Sequence, residues 1–149
     1  MNEENKEEQE AEVVITESVK EFNEEVKKWV ARFDKDFKEA VRLMGLPAAD
    51  EKKPFEEKYQ ARALLEAMTK DVEGKQEWLD QSMLIKCAKA TILNKLGSNY
   101  YDAEEISQSE RHNQQALTIW LTVSKGMQLR FTAQILDTYN GIGIVLANR

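Results

Sequence analysis

The residues that could carry metal or nucleophilic chemistry are few in this sequence. Cys87 is the one cysteine and His112 the one histidine among 149 residues, so a metal site built from cysteine and histidine is not expected. A single cysteine also excludes an internal disulfide framework and fits a reducing compartment such as the cytoplasm. Because Cys87 lies among Leu84, Ile85 and Ala88, we predict a buried, unreactive thiol.

Signatures of nucleotide binding and of acid–base catalysis are incomplete. Gly141-Ile142-Gly143 is followed by Leu146 where a dinucleotide-binding motif has its third glycine, and no strand–helix–strand pattern surrounds it. Pairs of adjacent acids such as Glu104-Glu105 are too common to mark catalysis in a chain with 32% charged residues. We therefore predict that the protein is not an enzyme, with no catalytic residues and no cofactor.

The net charge of −6 is concentrated at the amino terminus. Residues 1–12 contain six glutamates and one lysine, so they carry −5 and leave −1 for the rest of the chain. A dense acidic segment without apolar residues cannot bury surface, so residues 1–13 are predicted to be a disordered tail and 14–149 the folded domain. No cluster of basic and aromatic residues is present, which argues against nucleic-acid binding.

Composition and periodicity predict an all-helical chain. There are only two prolines and six glycines, which leaves long uninterrupted stretches, and no run of 18 apolar residues that could span a membrane. In the first predicted helix, apolar residues recur every three or four positions. They are Val19, Phe22, Val26, Trp29, Val30, Phe33, Phe37, Val41 and Met44. The other side of this helix mixes both charge signs, which favours packing against helices over lying on a membrane surface.

Five helices with short connections are expected, at residues 16–44, 54–70, 76–99, 103–125 and 129–148. Thr16 and Ser18 are candidate N-caps of the first helix. Gly45 is expected to end that helix, and Gly74 and Gly126 to separate later ones.

Small and apolar residues in the third and fourth predicted helices fit a tetratricopeptide repeat, a stacked helical hairpin. With Gly97 at the small position 8, the repeat's other signature positions fall on Leu93, Leu96, Tyr100, Ser109 and Ala116. Asn113 departs from the aromatic residue usual at position 24, and Leu121 from the proline that often closes the repeat. An unrelated helical bundle is the alternative fold.

A second, incomplete repeat frame follows near the carboxyl end. It places Tyr139, Ile142, Gly143 and Leu146 at positions 4, 7, 8 and 11. A repeat helix with apolar residues on several sides needs a following helix or a polar cap. The pattern is therefore that expected of the amino-terminal piece of a longer solenoid.

Three blocks of residues resemble, in order, the amino-terminal region of the KIF-binding protein family. The first is Pro54-Phe55, Lys58-Tyr59, Ala61-Arg62, Leu64-Leu65 and Glu66. The second is Leu96-Gly97, Asn99, Asp102, Glu104-Glu105, Ser107 and Glu110. The third is Asn140, Ile142-Gly143-Ile144 and Arg149. The resemblance covers residues 22–149, whereas the acidic tail and the long first helix depart from it.

The resemblance implies an all-helical, non-catalytic, tetratricopeptide-like protein that binds kinesin motor domains. Members of the family block motor attachment to microtubules and so regulate cargo transport, which implies a cytoplasmic, cytoskeleton-associated location. Their binding surface uses the whole solenoid, of which this chain resembles the first part.

The repeat frame also suggests which residues would touch a partner. Helix A of a tetratricopeptide repeat lines the concave face, where its outward positions correspond to Thr91, Asn94, Ser98, Tyr101 and Asp102. Tyr101 is the predicted anchor, since tyrosine is enriched at interface hot spots. The alternative function is a general adaptor for a peptide of another protein, such as a chaperone tail. Repeats that grip a terminal carboxylate place lysine at position 5 and asparagine at position 9, which are Asn94 and Ser98 here, and the missing basic group weakens this alternative.

Overall fold

The structure, a computed structural model, describes the backbone of residues 3–147 and the side chains of residues 24–80 and 82–147. The described residues form seven helices and no strand, which confirms the all-helical prediction but not the count of five. The helices are α1 (Glu3–Met44), α2 (Glu56–Glu73), α3 (Gln76–Gln81), α4 (Met83–Asp102), α5 (Ile106–Trp120), α6 (Lys125–Arg130) and α7 (Thr132–Ala147). The chain divides into two compact units, residues 1–35 and 36–149.

Helix α1 begins at Glu3, well before the predicted start at Thr16. The predicted N-caps Thr16 and Ser18 therefore lie inside the helix. No glycine or proline precedes Gly45, and glutamate and lysine are good helix formers, so nothing local stops the helix. The assignment of residues 1–13 as a separate disordered tail stays a prediction. Within the first unit, the rings of Trp29 and Phe33 pack with centroids 5.2 Å apart.

Two predicted helices are each divided in the structure. The helix expected at 76–99 is broken at Ser82, whose backbone is extended and whose hydroxyl caps α4 by accepting the Ile85 N–H at 3.4 Å. The helix expected at 129–148 is broken at Phe131, where the backbone leaves the helical region (φ −108°, ψ 27°). Gly126 lies inside α6 and does not separate helices as predicted. The predicted end at Asn148 lies outside the described residues.

The turn between α4 and α5 lies three residues later than expected, at residues 103–105, because α4 continues to Asp102 and α5 begins at Ile106 and not at residue 103. Glu104 sits in this turn with φ 65°, the one left-handed residue that is not glycine in the described part of the chain. Such a conformation does not continue a helix. At the other end, α5 stops at Trp120, and the Ser124 hydroxyl caps α6 by accepting the Met127 N–H at 3.3 Å.

Helix α4 is the centre of the second unit and packs against α2, α3, α5 and α7. One hydrophobic cluster joins it to α5 and the segment that follows. Its buried members are Cys87, Ala90, Leu93, Ala116, Trp120 and Val123. The indole N–H of Trp120 donates a buried hydrogen bond of 3.1 Å to Thr138 Oγ1, which ties α5 to α7 and satisfies the polar edge of the ring.

Candidate functional site

Three helices meet closely around the side chain of Asn113. A Cβ atom placed on Gly97 of α4 would lie 2.6 Å from Asn113 Oδ1, and one on Gly141 of α7 would lie 2.7 Å from Asn113 Nδ2. Real Cβ atoms essentially never approach another heavy atom that closely. Ser109 Oγ also donates to the Gly97 carbonyl at 2.7 Å. Glycine at both positions is therefore what lets α4 and α7 close on α5.

This junction bears on the two repeat frames in different ways. Gly97 and Ser109, two small positions of the first frame, are in contact, and Asn113 fills the space beside them. In the second frame, a Cβ atom added to Gly143 would meet nothing within 4 Å, and Gly141 is the glycine that packs. The tetratricopeptide interpretation of both frames stays a proposal.

A second polar cluster surrounds Arg62 of α2. Its guanidinium lies over the ring of Tyr100, 3.8 Å from the centroid, and 4.9 Å from that of Tyr59. Arg62 Nε donates to Asn99 Oδ1 at 2.8 Å, and Nη2 lies 2.6 Å from Glu105 Oε2. This last contact does not have the angle of a linear hydrogen bond, so we treat it as an ion pair. Each partner of the guanidinium stabilises its planar, charged form.

The contacts continue outward from Arg62 and link α2 to the carboxyl end of α4. Asn99 Nδ2 donates to the Lys58 carbonyl at 2.8 Å, and Lys58 Nζ lies 3.9 Å from Asp102 Oδ2. The Tyr100 hydroxyl donates to Glu66 at 3.0 Å. Burial, followed by this hydrogen bond, raises the pKa of Tyr100, so the hydroxyl stays protonated as a donor. We call these residues the Arg62 network: Lys58, Tyr59, Arg62, Glu66, Asn99, Tyr100, Asp102 and Glu105.

The predicted partner-binding residues do not share one exposed strip. Asn94 is only 4% exposed, so it offers little surface to a partner in this structure, and its role in binding stays a prediction. The reason for this burial is that α4 is covered by helices on several sides, and a repeat position cannot reveal how many neighbours a helix has. Ser98 and Tyr101 are half-buried and Asp102 is exposed, so their role in binding stays a prediction. Thr91 is half-buried and donates to the Cys87 carbonyl at 2.8 Å.

The side chains that could take part in catalysis or metal binding are engaged in contacts within the fold. His112 stacks on Tyr100 with ring centroids 4.8 Å apart, and its Nδ1 lies 2.7 Å from the Gln108 carbonyl, so Nδ1 carries a proton. Over residues 24–147, apart from the side chain of residue 81, no group of three histidine, cysteine, aspartate or glutamate residues could hold a metal ion. Within the described part of the chain, no helix is long and apolar enough to cross a bilayer.

Cys87 should resist alkylation in the folded protein. Its residue is fully buried, and burial raises the pKa of its thiol to about 11, against a smaller opposing effect of Arg130. In the unfolded chain the thiol pKa is about 8.5, so the thiolate forms much more readily there. At pH 8 we expect a thiol reagent to react slowly in buffer and rapidly in concentrated urea, to be followed by mass spectrometry.

The same shift predicts a loss of stability at alkaline pH. Because the folded-state pKa is the higher one, the stabilisation by the neutral thiol is present below about pH 8.5 and declines towards about pH 11. The variant Cys87→Ala should lack this contribution to the loss of stability at alkaline pH.

For the alkylation experiment, rapid reaction of the folded protein with the thiol reagent at pH 8 would contradict the buried position of the thiol.

Two features of the site are not predicted by the sequence analysis. The Arg62 network joins residues far apart along the chain, which helical periodicity does not relate. The exposed apolar face of α6 and α7, with Leu129 and Leu136, could have been found from the sequence, because its apolar residues are spaced by three and four positions.

Comparisons of the chain with models of protein families, with curated proteins and with solved structures return no match.

Proposed function

We propose that this chain is a non-catalytic interaction module that binds kinesin motor domains and regulates their attachment to microtubules. The proposal starts from the resemblance of three sequence blocks to the KIF-binding protein family. It includes a tetratricopeptide-like arrangement of the helical hairpins and a cytoplasmic, cytoskeleton-associated location.

The observation that carries the proposal is the meeting of the first two blocks in space. Arg62 belongs to the first block, and its partners Asn99 and Glu105 belong to the second. The same is true of Lys58 and Asp102. Separate chance matches would have no reason to fall on residues that touch, so these contacts support reading the two blocks as parts of one inherited structure.

The network also narrows the search for the binding surface. Arg62 is 13% exposed and engaged by four neighbours, so the matched residues around it hold α2, α4 and the following turn together. The surface for a partner is then formed by side chains at the edge of the network, and the candidates are Tyr101 and Asp102, an exposed outer member of the network.

The alternative of a general peptide adaptor is less well supported. An adaptor that grips a terminal carboxylate needs exposed basic side chains on helix A. Asn94, which stands at one of those positions, is neutral and buried.

We expect the 149-residue chain to retain a kinesin motor domain in a pull-down and to reduce the motor fraction that sediments with microtubules. Several motor domains should be tested, with the chain immobilised through its amino terminus. If Tyr101 is an anchor, Tyr101→Ala should weaken binding at least about tenfold, or about 1.4 kcal/mol. Leu121→Ala is the control, because Leu121 is a large side chain that is 65% exposed just after the end of a different helix, α5.

Two outcomes of this experiment have different meanings. Failure to retain any motor domain would contradict the proposal that this chain binds kinesin motor domains by itself. Binding that survives Tyr101→Ala unchanged would remove only the site assignment.

A further inference from the structure

Five large apolar residues are exposed along α6 and α7, and all of them except Ile144 (45% exposed) follow one regular spacing. Leu129 is 78% exposed, Leu136 56%, Tyr139 49% and Leu146 54%. Exposed Thr132 and Gly143 lie between them in the sequence. Taken together, the six positions are separated by three, four, three, four and three residues. We call this set the α7 seam: Leu129, Thr132, Leu136, Tyr139, Gly143 and Leu146.

The seam occupies one face of nearly continuous helix. A single groove of about 430 Å³ is lined by Leu129, Thr132, Leu136 and Tyr139 together. Hydrogen bonds from Phe131 N to the Met127 carbonyl and from Ile135 N to the Phe131 carbonyl carry the helical pattern across the break at Phe131. Alternating steps of three and four are the spacing at which one helix packs along another.

We propose that a second copy of this chain covers the seam. The two α7 seams would pack against each other in an antiparallel homodimer. The order of side chains is large, small, large, large, small, large, and it is the same when read from either end. An antiparallel pair would place Leu129 against Leu146 of the second copy, Thr132 against Gly143, and Leu136 against Tyr139. Such reciprocal pairing is what a two-fold symmetric interface requires.

The charge pattern of the seam permits this self-association. A symmetric dimer brings identical surfaces together, so any charge near the axis would face a like charge. No charged residue is present at the seam or at the positions that would flank it. The flanking residues are Gln128, Ala133, Ile135, Asn140 and Ile142. Lys125 lines the end of the groove, beyond the outermost pairing of Leu129 with Leu146.

The exposed area is also sufficient. From their exposed fractions, the four large residues of the seam present roughly 500 Å² per copy, so complete burial in a pair would remove at most roughly 1,000 Å² from solvent before any flanking residue is counted. That is the lower bound for a specific interface. Gly143 has nothing within 4 Å of a Cβ position, so it leaves room for the opposing Thr132 at the helix crossing.

Sedimentation equilibrium of the 149-residue chain tests the proposal. At about 100 μM, a concentration well above the micromolar dissociation constants of modest interfaces, we expect a mass of twice 17.2 kDa. Leu136→Glu places a charge in the middle of the seam and should raise the dissociation constant at least about tenfold. Leu121→Glu is the matched control, because Leu121 is 65% exposed but lies outside the seam. Circular dichroism should show equal helix content in all three proteins.

Cross-linking tests the direction of pairing. After mild oxidation, a mixture of Thr132→Cys and Gly143→Cys chains should form the mixed disulfide dimer faster than Gly143→Cys chains form a dimer among themselves. A monomeric mass for the unmodified chain, a dimer unaffected by Leu136→Glu, or preferred Gly143→Cys self-linkage would each overturn the proposal. None of these outcomes bears on kinesin binding, which is measured separately.

Discussion

Gly97→Leu is expected to lower the free energy of unfolding by about 1–3 kcal/mol, the usual cost of overpacking a filled core. A side chain at residue 97 would begin 2.6 Å from the carboxamide of Asn113, which is itself 2% exposed. Asn113 cannot move aside freely, because Gly141 of α7 lies on its other side. The added leucine must therefore separate α4 from α5. Urea unfolding followed by circular dichroism measures the change.

Gly126→Leu is the matched control for this substitution. Gly126 is exposed in α6 with no atom within 4 Å of its Cβ position. Leucine is a better helix former than glycine, so this variant should keep its stability or gain up to about 1 kcal/mol. Asn113→Ala should also recover part of the loss when it is combined with Gly97→Leu, as expected of residues in direct contact. An unchanged midpoint for Gly97→Leu would mean that the packing of α4 on α5 is different.

Two of the three small residues at this junction are at positions that the proposed repeat frame marks as small, whereas the second frame marks Gly143 and not Gly141. Gly97 and Ser109 fall at small positions of one hairpin, and they touch. Asn113 is a departure from the repeat pattern. The structure explains it, because its carboxamide takes the space that glycine at 97 and 141 leaves open.

The helix ends are predicted less well, because several are set by backbone conformation at residues with no strong local signal. Ser82 and Phe131 break helices that the apolar pattern runs straight through. Neither residue is glycine or proline, so the usual stop signals are absent there, although serine is a residue type favoured at the N-cap of a following helix. At Ser82 the structure provides a physical reason, since the hydroxyl caps the helix that follows.

The burial of polar residues on α4 also cannot be predicted from the apolar periodicity of the sequence. A periodic sequence shows which side of a helix is apolar, but Asn94 is buried on a helix that is surrounded by neighbours. Its Oδ1 atom has no hydrogen-bond partner among the described residues. The positions expected to be outward on helix A are accessible only where no other helix covers them.

The Arg62 network shows the same limit for contacts between distant segments. Arg62 and Asn99 are 37 residues apart, whereas helical periodicity relates residues only three or four apart. The resemblance places these residues in separate blocks without saying that they meet. Their contact depends on the fold and not on local sequence. Because Arg62 contacts several of these residues, its replacement should affect the stability of the protein.

Arg62→Met is expected to destabilise the protein by about 2–3 kcal/mol. Asn99 is fully buried, so the loss of the Arg62 donor leaves its carbonyl oxygen unpaired at a cost of about 1–3 kcal/mol. The stacking of the guanidinium on Tyr59 and Tyr100 adds about 0.5–2 kcal/mol. Methionine keeps much of the apolar length of the side chain, so the change reports on the polar contacts. Thermal and urea unfolding of the variant give the measurement.

Arg42→Met separates this effect from the general loss of an arginine. Arg42 also pairs with a carboxylate at 2.6 Å, but both it and Glu39 are exposed to solvent. Exposed pairs contribute little because water solvates the separated charges well, so no measurable change is expected. Arg62→Lys should fall between the two, since it keeps the charge and loses the planar group that stacks. If Arg62→Met were as stable as Arg42→Met, the network would not join α2 to α4, and the spatial support for the proposed function would be lost.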